Sequence, residues 1–133
     1  MAARLVEIDE RTDRVAREIV DAAFTVHKTL GPGLLEHVYE VCLAHELARR
    51  DLRVERQFDL PVVYDSIRFE AGYKIDLIVE DRVIVELKVV EKLLPIHQAQ
   101  LLTYLKLADK RLGLLIDFNT VLIKDGIKRM VSA

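Results

Sequence analysis

The sequence has few of the residues that cross-link or interrupt a small protein. Its single cysteine, Cys42, excludes an intrachain disulfide framework and a cysteine-rich zinc site. Only 3 prolines and 5 glycines are present, and no internal repeat, low-complexity tract or linker is visible. We therefore expect one domain over residues 1–133, long enough to bury a hydrophobic core of its own.

The sequence also lacks an excess of positive charge. Its formal net charge is −2, whereas proteins that contact many phosphates usually carry surplus lysine and arginine. A broad basic surface is therefore excluded, and only a local patch remains open. Two basic groups could form such a patch, although solvated surface is the simpler interpretation of both: Arg49, Arg50, Arg53 and Arg56, and then Lys124, Lys128 and Arg129.

Long hydrophobic runs are missing as well. No uncharged stretch approaches the length of a membrane span, and the N-terminus lacks the basic start and apolar core of a signal peptide. Half of the residues are hydrophobic and about a third are charged, which is typical of a globular protein in water. We expect a cytoplasmic location.

Helices precede strands in the predicted order of elements. Helical spacing of apolar residues predicts one helix from Asp9 to Leu30 and a second from Leu34 to about Arg50, separated by Gly31-Pro32-Gly33. Later segments are predicted as follows: extended chain at 53–58, 60–64 and 67–69, a helix from Pro95 to Leu107, a buried strand at 112–118, and a terminal hairpin with strands at 121–124 and 127–131 around Asp125-Gly126. The fold class is an α+β sandwich.

Charges occupy unusual places in two further strand-like runs, residues 73–79 and 83–89. They contain Asp76 in the first run, and Glu86 and Lys88 in the second. If Glu80-Asp81-Arg82 forms the loop of a hairpin, Asp76 lies directly opposite Glu86, and period-2 alternation places both on the face of Lys88. Opposed residues have Cβ atoms about 4.5 to 5.5 Å apart, so like charges there destabilise a sheet. A divalent cation is the simplest way to offset this repulsion.

The chain resembles the PD-(D/E)XK nuclease superfamily over nearly its whole length. Gly33-Leu34-Leu35-Glu36-His37-Val38-Tyr39 is similar to the Gly-x-x-Glu-x-x-Tyr signature of one small bacterial and archaeal family within it. Asp76 matches the motif aspartate, and Glu86 with Lys88 matches the Glu-x-Lys strand. Gln100 and Tyr104 match the Gln-x-x-x-Tyr helix of the branch resembling RecB nucleases. The chain departs from the pattern at Ile75, where a proline often stands.

The resemblance implies a restriction-endonuclease-like core, in which a mixed, mostly antiparallel central sheet is flanked by helices. It also implies a Mg²⁺- or Mn²⁺-dependent nuclease whose metal ligands are Asp76, Glu86, the Leu87 backbone carbonyl and Glu36, the last directly or through water. Lys88 would then steer the attacking water or stabilise developing charge. Gln100 and Tyr104, with His97 nearby, would orient the lysine or contact a phosphate.

Two other interpretations stay open at this point. The chain could be a non-catalytic module that keeps the nuclease fold to bind nucleic acid or a protein, as its mild acidity and lack of tryptophan suggest. It could also self-associate as a homodimer in order to grip a duplex. The expected partner in the leading interpretation is nucleic acid, with DNA ahead of RNA, and no membrane.

Overall fold

A computed structural model describes residues 7–70 and 72–133 of the chain. The helices are α1 (Glu10–Leu30), α2 (Glu36–Arg49) and α3 (Pro95–Ala108). The strands are β1 (Val54–Asp59), β2 (Val62–Tyr64), β3 (Ile67–Phe69), β4 (Lys74–Val79), β5 (Val83–Lys88), β6 (Leu112–Asp117) and β7 (Ile127–Val131). Both N-terminal helices precede every strand, as the sequence predicts.

Helix α1 is amphipathic and has a defined start and end. Asp9 caps its N-terminus, because the Asp9 carboxylate accepts a hydrogen bond from the Thr12 N–H at 2.8 Å. A buried face that includes Ile19 and Ala23 packs into the core. The helix ends at Gly31, whose φ of 74° is unfavourable for residues with a side chain. None of the helices in the described part of the chain, α1 included, has the length and apolar character needed to span a bilayer.

The turn between α1 and α2 is fixed by one buried tyrosine. The Tyr39 hydroxyl donates to the Gly31 carbonyl at 2.6 Å and accepts a hydrogen bond from the Leu34 N–H at 3.0 Å. The Tyr39 ring stacks on Phe118, with ring centroids 4.6 Å apart. Tyr39 therefore ties the turn to the core directly before Glu36, the first residue of α2.

The central sheet has five strands in the order β1-β4-β5-β6-β7. Strands β5 and β6 are parallel and are connected through α3, while the other neighbouring pairs are antiparallel. Strands β2 and β3 form a separate two-stranded sheet around the predicted turn at Asp65-Ser66. The α+β class and the mostly antiparallel central sheet are thus confirmed.

Helices cover the two faces of the central sheet with separate hydrophobic clusters. Helices α1 and α2 pack on the face that carries Leu77, Val79 and Val85. Helix α3 packs on the opposite face, where Ile78 and Ile84 lie. The β4–β5 hairpin is therefore covered on both sides, and the Glu86 carboxyl within it is buried.

The predicted terminal hairpin is wrong in its first half. Residues 121–124 do not form a strand; Ile123–Gly126 instead form a short 3₁₀ helix, in which the Asp125 N–H donates to the Leu122 carbonyl at 3.1 Å. Gly126 approaches the Asp117 backbone so closely that a Cβ would lie 2.2 Å from its carbonyl oxygen. The glycine thus serves a close backbone contact and not a hairpin turn. Strand β7 pairs with β6.

We predict that Tyr39→Phe lowers the free energy of unfolding by about 1 to 2 kcal/mol, because it removes both hydroxyl bonds and leaves the Gly31 carbonyl and the Leu34 N–H without that partner. The ring and its stacking on Phe118 are retained, so the loss of stability measures the hydrogen bonds of the turn alone. Urea unfolding followed by circular dichroism measures the change.

The matched control is Tyr64→Phe, which deletes the same hydroxyl from a side chain on β2 that is 73% exposed. Its free energy of unfolding should stay within about 0.5 kcal/mol of the parent value. Equal destabilisation by the two substitutions would contradict the role assigned to Tyr39.

Candidate functional site

The candidate site lies where the backbone ladder between β4 and β5 ends. The register pairs Val79 with Val83, Ile78 with Ile84, and Leu77 with Val85, as a three-residue loop requires. The next opposed positions are Asp76 and Glu86, but here side chains replace the ladder. The Asp76 N–H donates to Glu86 Oε1 at 3.1 Å, and the Leu87 N–H donates to Asp76 Oδ2 at 2.8 Å. Each carboxylate is therefore held by the backbone of the other strand.

The regular alternation of side chains along β4 breaks at this point. Ile75 packs with Ile78 in the cluster under α3, whereas Leu77 packs with the cluster under α1 and α2. Ile75 and Leu77, the two neighbours of Asp76, thus face opposite sides of the sheet, although strict alternation would place both on the same side. The prediction that Asp76 and Glu86 share a face assumed uninterrupted alternation, which does not hold at Asp76. The two carboxylates are brought together by the hydrogen bonds to the opposite strands.

The two carboxyl groups are costly to ionise in this position. Glu86 is only 6% exposed, and burial raises the pKa of its carboxyl to about 8, with a further contribution from the charge of Asp76. Burial also raises the pKa of Asp76, against the opposing effect of the Leu87 N–H. The site therefore favours an added positive charge.

Glu36 and Lys88 complete the charged part of the site. Glu36 is an exposed residue, yet its carboxyl group is partly desolvated. This desolvation, and to a smaller extent the negative charge of Asp76, raises the pKa of Glu36. Lys88 ends β5 and lies half-buried. Its charge lowers the pKa of Glu36, Asp76 and Glu86 alike, so one ammonium group is electrostatically coupled to all three carboxyl groups.

Helix α3 contributes one buried side chain that is electrostatically coupled to the site. Tyr104 is 9% exposed, and burial together with the charge of Glu86 raises the pKa of its hydroxyl. Gln100 lies one turn earlier on the same side of the helix and is exposed. His97, which the sequence places near this stripe, is engaged at the start of α3: its Nδ1 accepts a hydrogen bond from the Leu94 N–H at 3.0 Å.

Most of the basic residues singled out in the sequence are engaged in ion pairs. The pairs in the first group are Arg49 with Glu46; Arg50 with Glu18, Asp21 and Glu46; Arg53 with Glu80; and Arg56 with Glu40. In the second group Arg129 pairs with Asp13, while Lys124 and Lys128 are exposed. The first group is therefore a network of paired surface charges, as the simpler interpretation expects.

Sequence reasoning missed two residues beside the site, Glu40 and Gln57, and it singled out a third, Arg56, only as a basic surface residue. Glu40 is 4% exposed, and its carboxylate accepts hydrogen bonds from Arg56 at 3.0 Å and from the Gln57 amide. The same amide donates to Asp76 Oδ1 at 3.4 Å. Glu40 could have been noticed, since it follows Glu36 by four residues and so shares its helix face. Gln57 and Arg56 gave no such signal, because only the packing of α2 against β1 brings them there.

The donor atoms fit a hard divalent cation. Asp76 and Glu86 each present a carboxylate whose orientation is fixed by a backbone N–H, and oxygen ligands are those that Mg²⁺ prefers. Among residues 7–70 and 72–133, no three acidic, histidine or cysteine side chains already surround one point as metal ligands. A cation would therefore be held by these two carboxylates, with Glu36, the Leu87 carbonyl and water as candidates for the remaining positions.

Comparison with known proteins gave one match. A family model described as the PD-(D/E)XK nuclease superfamily matches residues 13–130, a range that begins in the first turn of α1 and ends within β7. The sheet and its flanking helices agree with the restriction-endonuclease-like core expected for that superfamily. No curated protein and no solved structure matched the chain significantly.

We predict that the metal-free protein becomes less stable as the pH rises. Glu86 keeps its proton in the folded protein up to about pH 8 but ionises near its ordinary value of 4.5 in the unfolded chain. The folded state thus binds more protons in this window, so the stabilisation is present below about pH 4.5 and is lost towards pH 8. Chemical unfolding in chelator at several pH values between about 5.5 and 8 measures the slope.

Glu86→Gln should flatten this slope, since the amide does not titrate. The matched variant Glu55→Gln, at an exposed position of β1, should leave the slope as it is. If Glu86→Gln retains the full dependence on pH, the buried Glu86 carboxyl is not its source.

Proposed function

Because the chain belongs to the PD-(D/E)XK nuclease superfamily, we propose that it is a Mg²⁺-dependent nuclease that hydrolyses phosphodiester bonds in nucleic acid, with DNA as its substrate. One observation carries the proposal: the reciprocal hydrogen bonds that hold Asp76 and Glu86 together at the end of the β4–β5 ladder. Buried carboxylates with raised pKa values beside a single lysine form an arrangement expected of a functional site.

In this proposal the acidic residues bind the divalent cation and fix its position. Asp76 and Glu86 would hold Mg²⁺ or Mn²⁺, together with the Leu87 carbonyl, and Glu36 would contribute from the first turn of α2. The chemistry supplied by the bound cation is the polarisation of a phosphoryl oxygen and the acidification of a water molecule. Since the carboxylates are anchored by backbone N–H groups, little reorganisation is needed to present them.

Lys88 and Tyr104 act on the charge of the reacting phosphate. The charge of the Lys88 ammonium group acts on all three carboxyl groups, and among the six candidate site residues Lys88 is the basic one. We assign it to orienting the attacking water or stabilising the negative charge that develops during attack. The Tyr104 hydroxyl is protonated at neutral pH even at its ordinary pKa of 10.0, and the upward shift of that pKa reinforces this, so in the proposal it serves as a hydrogen-bond donor. Gln100, one turn away, would contact a phosphate.

The finer family placement is part of the same proposal. We assign the chain to the branch named for Gly-x-x-Glu-x-x-Tyr, with the Gln-x-x-x-Tyr helix of nucleases resembling RecB. Support comes from Tyr39, which fixes the turn that presents Glu36 and thereby gives the motif a physical role. Tyr104 near Glu86 supports the second motif. A homodimer and a cytoplasmic location stay predictions.

We predict that the protein cleaves DNA only with Mg²⁺ or Mn²⁺ and that Lys88→Ala reduces the rate by about 100-fold or more, the usual cost of removing a donor that stabilises developing charge. Plasmid, linear and single-stranded DNA and RNA are incubated with each cation and in chelator. Gel electrophoresis gives the rates and also tests the assignment of DNA as the substrate.

Lys106→Ala is the matched control, because it removes a lysine from an exposed position on α3 away from the carboxylates. It should cleave at the parent rate. Cleavage that survives unchanged in Lys88→Ala would identify a contaminating nuclease and overturn the assignment. Nucleic-acid binding in chelator without cleavage in any cation would favour the non-catalytic module.

A further inference from the structure

The backbone of β1 takes an unusual conformation opposite the site. Gln57 has a φ of 52°, in the left-handed region that favours glycine, although it lies inside a strand. Ladder pairs flank it on both sides, joining Arg56 to Leu77 and Phe58 to Ile75. Gln57 and Asp76 occupy the opposed positions between these pairs. Strain of this kind persists where the surrounding structure enforces it, often at functional sites.

The Gln57 side chain uses this conformation to bridge two acidic groups. Its amide nitrogen donates to Glu40 and also to Asp76 Oδ1, the latter at 3.4 Å. A neutral amide has two N–H donors, one for each carboxylate, so both neighbours fix the same orientation of the group. The other oxygen of Asp76 is already bound by the Leu87 N–H at 2.8 Å. Asp76 is therefore oriented from both sides.

Glu40 acts as the anchor of the bridge and not as a ligand. Its two carboxylate oxygens are occupied by Arg56 and Gln57, and the residue is almost fully buried. Its position on α2, one turn after Glu36, links the helix that carries Glu36 to the strand that carries Asp76. Without the bridge, Asp76 Oδ1 would lose its side-chain partner, and this contact would no longer fix the spacing between α2 and β4.

We propose that Gln57, held by Glu40, is a positioning residue that orients the Asp76 carboxylate for binding the cation. This inference rests on the proposed function, because it assigns Gln57 to the metal site of that reaction. It explains why a glutamine and not a glycine occupies a left-handed position: the amide is needed there. A residue that only fills space would gain nothing from the strained backbone.

Gln57→Gly separates positioning from folding. Glycine relieves the strain at φ 52°, while loss of the amide removes one hydrogen bond from the buried Glu40 carboxylate, so these opposing effects should leave the midpoint of thermal unfolding within about 5 °C of the parent value. Loss of the amide should nevertheless weaken Mn²⁺ binding by about 10- to 100-fold, the usual effect of removing a residue that orients a metal ligand. Gln57→Asn, which tolerates the left-handed region but is one methylene too short to bridge, should behave alike.

Isothermal calorimetry with Mn²⁺ alone gives the affinities, and Asp65→Gly is the matched control. Asp65 has a φ of 53° in the exposed β2–β3 turn, so glycine relieves comparable strain away from the site. Unchanged Mn²⁺ affinity in Gln57→Gly, or an equal loss in Asp65→Gly, would overturn the inference and leave the proposed function standing. A parent protein that binds no Mn²⁺ would contradict the proposed function and, with it, the inference.

Discussion

The site depends on an exchange of hydrogen bonds between two strands that are buried on both faces. Where the β4–β5 ladder would continue, Asp76 and Glu86 each accept a backbone N–H from the opposite strand. The carboxylates thereby satisfy the backbone groups that the interrupted ladder leaves behind, since buried amides need partners. The repulsion between the two acids remains, and it adds to the larger effect of burial in raising the pKa of Glu86. A cation would remove that repulsion without changing the geometry.

The rest of the fold positions groups around this pair. Tyr39 ties the turn before α2, which brings Glu36 towards Asp76. The Arg56–Glu40–Gln57 contacts join α2 to β1 and reach Asp76 from the other side. Helix α3 provides Tyr104 across the sheet, next to Glu86. Two helices, α2 and α3, and three strands, β1, β4 and β5, thus converge on one small region. Arg53 and Arg56 nearby form ion pairs with Glu80 and Glu40.

The sequence predicts the parts of this arrangement that are local. A three-residue loop fixes the hairpin register, so the opposition of Asp76 and Glu86 follows from counting residues. The sequence cannot predict the position of Gln57 beside the site, because its left-handed backbone and its contact with Glu40 depend on how α2 packs on β1. The terminal hairpin was mispredicted for a similar reason: the Gly126 contact with the Asp117 backbone is not local.

We propose that Asp76 and Glu86 together form one cation site. Diffraction from a crystal of the protein soaked in Mn²⁺ locates the cation, since manganese scatters anomalously and the protein atoms around it do so only weakly. One anomalous peak is expected between the Asp76 and Glu86 carboxylates, at about 2.0 to 2.3 Å from an oxygen of each. Strong peaks elsewhere with none at this position, at saturating Mn²⁺, would contradict it.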